Sequence, residues 1–90
     1  ADLAVAVSLI SSLKDTSIRE DTIVFGEVGL AGELRSVTHI NARISEAARL
    51  GFRRCVLPYH CLKKNSAQFG EIQLIGVRNL REAFEGAVGE

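Results

Sequence analysis

Residues 21–37 read DTIVFGEVGLAGELRSV, and this stretch decides how the chain folds. Its first part, TIVFGEV, alternates: Ile23 and Phe25 fall on one side and Val24 and Val28 on the other, the two-residue period of a half-buried strand. Gly29 and Gly32 bracket a tight turn, GLAG, and Glu33 to Val37 supplies a return strand, so the spacing predicts a β-hairpin. A phosphate-binding reading of the same glycines fails. Gly26, Gly29 and Gly32 match neither GxGxxG nor a P-loop with its Lys and its Ser or Thr.

Upstream of the hairpin, KDTSIREDT is polar and reads as a surface connection. Before it, residues 1–14 place Leu3, Val7 and Ile10 on one stripe and Val5, Leu9 and Leu13 on an adjoining one. A helix this apolar is expected to be buried on most sides. The pattern also predicts a start at residue 1 with no N-cap in front of it, and hence a chain cut inside a larger domain. The run is interrupted by Ser8, Ser11 and Ser12 and is too short for a membrane span. Those serines sit mid-helix rather than at a strained turn, so they read as small packing residues.

Downstream, Thr38 is expected to cap a second helix whose Ile40, Ile44, Ala47 and Ala48 share a face and whose end is Gly51. Residues 53–57 form a short strand closed by Pro58. The stretch YHCLKKNSAQFGE lacks a period and reads as a short helix followed by a loop, and residues 72–77 as a buried strand. Asn79 and Glu82 resemble a capping box for a last helix carrying Leu80, Ala83, Phe84, Ala87 and Val88. Helix, strands, helix, strand, strand and helix predict a mixed α/β domain.

Ninety residues with 47% hydrophobic and 24% charged content leave room for one globular unit and exclude a disordered tail. Eleven basic residues balance eleven acidic ones, so no large positive field marks a dedicated nucleic-acid binder. The balance is uneven along the chain. Between positions 33 and 64, Arg35, Arg43, Arg49, Arg53, Arg54, Lys63 and Lys64 face only Glu33 and Glu46, a local patch able to track DNA phosphates. Cys55 and Cys61 lack partners at zinc-finger spacing and read as reduced thiols packed as small hydrophobes, which points to a cytoplasmic setting with no metal site. Neither His39 nor His60 stands in a motif with an orienting partner and a nucleophile, so both read as structural or surface residues.

Taken together, AVAVSLISSL, DTIVFGEVGLAGELR, ISEAARLGFRRCVLP and LIGVRNLREAF resemble the C-terminal part of the Lon-type peptidase domain. The register D-x-x-x-x-G-E-x-x-L-x-G, here Asp21, Gly26, Glu27, Leu30 and Gly32, is the most specific piece of the resemblance. Within that superfamily, FGEVGLAGELR and EAARLGFRR look more like the RadA (Sms) family of bacterial DNA repair proteins than like Lon itself. The resemblance implies an α/β (α+β) fold of the Lon-type, ribosomal protein S5 domain 2-like kind, a mixed sheet with a β-hairpin packed against helices. Residues 1–90 would then be the C-terminal part of that domain, truncated on its N-terminal side.

Lon-type peptidases pair a serine nucleophile with a lysine base. By the resemblance, the lysine position is Asn41, the serine position falls immediately before Ala1, two glycines appear as Thr38 and His39, and a site threonine appears as Phe25. An amide is no general base at neutral pH, so the expected catalytic set is empty. The alternative is a working Ser/Lys, ATP-dependent peptidase with its serine upstream and its base moved to Lys14 or Lys63. What the RadA resemblance implies instead is a domain without cofactor of its own, in a hexameric ring-forming ATPase that uses ATP, magnesium and zinc elsewhere. DNA and copies of itself would be its partners, with a RecA-type recombinase as a further one and no membrane. A purely structural interaction module without DNA contact is the third reading.

Overall fold

Three parallel strands form the centre of the fold: β1 (Thr22–Val24), β4 (Arg54–Pro58) and β5 (Gln73–Val77), in the order β1-β4-β5. The computed structural model describes residues 1–64 and 69–89, leaving out the side chains of Lys63 and Lys64. The loop expected after the short helix therefore lies partly outside the described residues. Ile23 pairs with Cys55, and Cys55 in turn with Leu74. Such parallel neighbours need crossovers, which helices α2 (Ile40–Leu50) and α3 (Tyr59–Lys64) supply.

Because successive side chains of β4 point to opposite faces, the sheet has a core on each side. Val56 and Val77 pack with Leu3 and Val7 of α1 (Leu3–Leu13) and Ala83 and Ala87 of α4 (Leu80–Val88). On the other face, Cys55 and Leu57 meet Ile44, Ala47, Cys61 and Ile72. The result is three layers, helices on both faces of a parallel sheet. Small residues set the layer spacing. A Cβ on Gly76 would come within 2.6 Å of the Leu62 side chain and 3.1 Å of the Tyr59 backbone, so α3 sits against β5 only because that position is glycine.

The hairpin is present, as β2 (Glu27–Val28) and β3 (Leu34–Arg35), with Glu27 opposite Arg35 and Val28 opposite Leu34. It is not continuous with the central sheet, as the expected mixed sheet required. Gly26 diverts the chain at φ +152°, where a Cβ would press within 2.9 Å of Leu3, and its carbonyl accepts the Leu3 N–H at 2.9 Å. The run 22–28 thus splits into one strand of the parallel sheet and one of a separate antiparallel ribbon. Its side-chain alternation survives the break, since Ile23 and Phe25 join one core and Val24 and Val28 the other.

Two helix starts differ from the expectation. Asp2 does cap α1, accepting from the Ala4 and Val5 N–H groups at 2.7 and 3.2 Å, so the helix begins at Leu3 rather than residue 1. His39, not Thr38, occupies the cap position of α2, in a left-handed conformation and with no side-chain capping bond. The Thr38 carbonyl instead accepts Arg43 Nε at 2.8 Å. Gly51 ends α2 in the left-handed conformation expected, and Asn79 caps α4 by accepting the Glu82 N–H at 2.8 Å.

Helix α1 is less buried than its composition suggests. Leu3, Val7 and Ser11 face the core, whereas Val5, Leu9 and Leu13 on the opposite side are 57, 62 and 87% exposed. One helix face can meet one layer, and among the described residues no element lies across the other. No helix among them is long and apolar enough to cross a membrane.

Candidate functional site

The positions that a Ser/Lys peptidase would use can be followed one by one. Asn41 lies in the first turn of α2 and is exposed. His39, two residues earlier, holds φ +57°, a conformation costly for a residue with a Cβ and free for glycine. Phe25 is half-buried and packs on the core shared by α2 and α3. Lys14 is the C-cap of α1, at the end remote from Ala1, with its ammonium 5.9 Å from the centre of the Phe84 ring. Of Lys63 the backbone is in α3, but the side chain lies outside the described residues.

Neither cysteine carries the marks of an activated thiol. Cys55 and Cys61 are both buried and free, and burial, reinforced by the neighbouring Cys61, pushes the Cys55 thiol up to about 12. His39 and His60 are exposed, and among the described residues no three His, Cys, Asp or Glu side chains gather as a metal site would need.

The basic candidates divide by what already holds them. Arg35 donates to Glu33 at 2.6 Å, and Arg49 pairs with Glu46, holding that carboxylate below its usual range. Arg43 is exposed, with Nε on the Thr38 carbonyl. Arg54 is half-buried and turned to α4, where it donates to the Gly86 carbonyl at 2.8 Å. Arg53 is exposed, with no ion pair among the described residues. Lys63 and Lys64 again fall outside what is described at the side-chain level.

Arg49 and Arg53 come together at one place, a cleft of about 520 Å³ between the end of α2 and the start of β5. The turn at Gly51 returns the chain from α2, with the Phe52 N–H on the Ala47 carbonyl at 3.1 Å, and the Gln73 N–H on the Arg53 carbonyl at 2.8 Å fixes the opposite wall. Phe52, Phe69 and Glu71 also line it. Sequence reading missed these three. The signal was the aromatic Phe52 directly before the pair Arg53 and Arg54, but Phe69 and Glu71 reach the cleft only through the parallel pairing of β4 with β5.

Residues 1–61 match the family model described as subunit ChlI of Mg-chelatase. The chain is also similar to DNA repair protein RadA of Escherichia coli (strain K12), at 46% identity over 83 residues, which are 92% of this chain and 18% of that protein. With DNA repair protein RadA of Bacillus subtilis (strain 168) the identity is 42% over 88 residues, 98% of this chain and 19% of the relative. In Aquifex aeolicus (strain VF5) a protein of the same name is 38% identical over 85 residues, 94% and 18% of the two chains. The chain thus spans about a fifth of the length of the relatives it matches. Since the family match covers more than half of the chain, the chain belongs to the family of subunit ChlI of Mg-chelatase, with homologues named DNA repair protein RadA.

Proposed function

We propose that the chain is a non-proteolytic Lon-like domain from the C-terminal end of a RadA-type DNA repair and recombination ATPase, serving ring assembly and DNA contact during branch migration. The observation that carries the reading is Asn41, an amide in the first turn of α2 where a Lon-type site has its base. His39 supports it, since its φ of +57° is one that glycine, the residue of the Lon pattern at that position, adopts without strain. Lys14, weighed as a displaced base, stands at the far end of α1, about 16 Å of helix from its start. The peptidase reading therefore loses that candidate.

DNA repair comes into the reading from the relatives' names, and the exposed Arg43 and Arg53 are the residues best placed to meet phosphates. ATP, magnesium and zinc sites, the hexameric ring, a RecA-type partner and a cytoplasmic location belong to the same proposal. So does the view of residues 1–90 as part of a larger domain, which the exposed stripe Val5, Leu9 and Leu13 supports. The test is the salt dependence of DNA binding by the intact protein. Each phosphate neutralised on duplex DNA contributes a slope of about −0.9 in log K against log salt. Arg43→Glu and Arg53→Glu should each weaken binding and flatten that slope, while unchanged binding by both variants would remove the DNA part of the proposal.

A further inference from the structure

We propose that the cleft between α2 and β5 receives one unstacked nucleobase of a single DNA strand while Arg53 meets an adjoining phosphate. This deepens the DNA-contact reading above and rests on it. At about 520 Å³ the cleft lies within the range of roughly 300–1,000 Å³ usual for small-ligand sites. Its lining separates three kinds of chemistry. Phe52 and Phe69 are half-buried, each packed on the core behind and each contributing to the cleft wall, so they offer aromatic surface on which a base can stack. Arg53 supplies a cation that forms no ion pair among the described residues, whereas Arg49 is paired with Glu46.

Glu71 decides what kind of ligand fits. A carboxylate in the lining repels a bare phosphate placed deep in the cleft, yet it accepts hydrogen bonds from the N–H groups on a base edge. No hydrogen bond or ion pair to it is found among the described residues. A ligand with a flat, N–H-bearing ring and an anionic group at its margin satisfies all three, and a nucleotide within a strand has that form. Gly51 and Gly70 flank the cleft with open space where side chains would otherwise stand, leaving it accessible. Bases in a duplex are stacked and paired, so they cannot enter without being extruded. Discrimination of single strands from duplex follows.

The experiment compares binding of a mixed-sequence single strand and its duplex, by fluorescence anisotropy at one salt concentration, for the intact protein and three variants. Phe52→Leu and Phe69→Leu keep the apolar bulk that the core needs and remove the ring face. Each should weaken single-strand binding about tenfold, the scale of one stacked base, with duplex binding unchanged. Arg53→Glu should weaken both. If Arg53→Glu weakens both but the leucine variants leave the single strand unaffected, or weaken both substrates alike, the nucleobase site is wrong and the DNA contact stands. If Arg53→Glu changes neither, the contact itself falls and the site with it.

Discussion

Asp21 joins more of the fold than its place in a connecting segment suggests. Its carbonyl accepts the N–H groups of Arg53 and Arg54 at 2.9 and 3.1 Å, tying the entry of β1 to the start of β4. Its carboxylate takes two hydrogen bonds from Arg19, both at 3.0 Å, and chiefly for that reason its pKa falls to about 2. The sign is set by the folded form holding its proton less tightly than the unfolded one. The stabilisation is present above the ordinary carboxylate value near 4 and is lost as pH falls toward about 2. Asp21→Asn should therefore flatten the stability curve between those limits, measured as denaturant midpoints at several pH values. An unchanged acid limb would show that the pair with Arg19 adds nothing in solution. The sequence marks Asp21 as the first residue of the Lon-like register but gives no hint of Arg19, because a bond between residues two apart depends on how the loop bends. Arg54 illustrates the opposite difficulty. Sequence reading places it with Arg53 in one basic patch, yet strand alternation sends the two to different surroundings, one to α4 and one to solvent.

At the scale of elements, periodicity was informative wherever one face met one layer. The apolar face of α2 and the alternation through residues 22–28 appear where the pattern puts them, as do Leu80, Ala83 and Ala87 of the α4 stripe, whereas Phe84 and Val88 stand outside both cores. Helix α1 was the exception, because composition alone cannot say how many sides of an apolar helix find a partner. The two stripes make a direct comparison. Leu3→Ala, at a fully buried position, should cost about 2–5 kcal/mol in a denaturant melt of this chain. Leu9→Ala, on the exposed side, should stay within about 0.5 kcal/mol. Equal losses at both positions would mean that α1 packs on both sides in solution. The break at Gly26 was hidden for a different reason. A strand-like run with an internal glycine reads the same whether it bulges or leaves the sheet, and the deciding contact, with Leu3, comes from twenty-three residues away.

For the whole molecule, an α/β class was legible in the order of elements, but the parallel order β1-β4-β5 was not, since the pattern contains no record of which strand becomes central. Of the candidate site, the amide Asn41 could be read directly as a letter, while the cleft could not, because its walls come from segments brought together only by the sheet. Zero net charge likewise conceals that half of the arginines are already paired with acids, which would leave the proposed contact with DNA to a few positions. We propose a scaffold that does not cleave peptides, with DNA contact in place of hydrolysis. The measurement that reaches this most directly is labelling of the intact protein with a serine-directed covalent probe, alongside a peptide-cleavage assay with and without ATP. Absence of both labelling and cleavage is expected, and Asn41→Lys alone should restore neither. Stoichiometric labelling of a serine just upstream of Ala1, accompanied by ATP-stimulated cleavage, would contradict it.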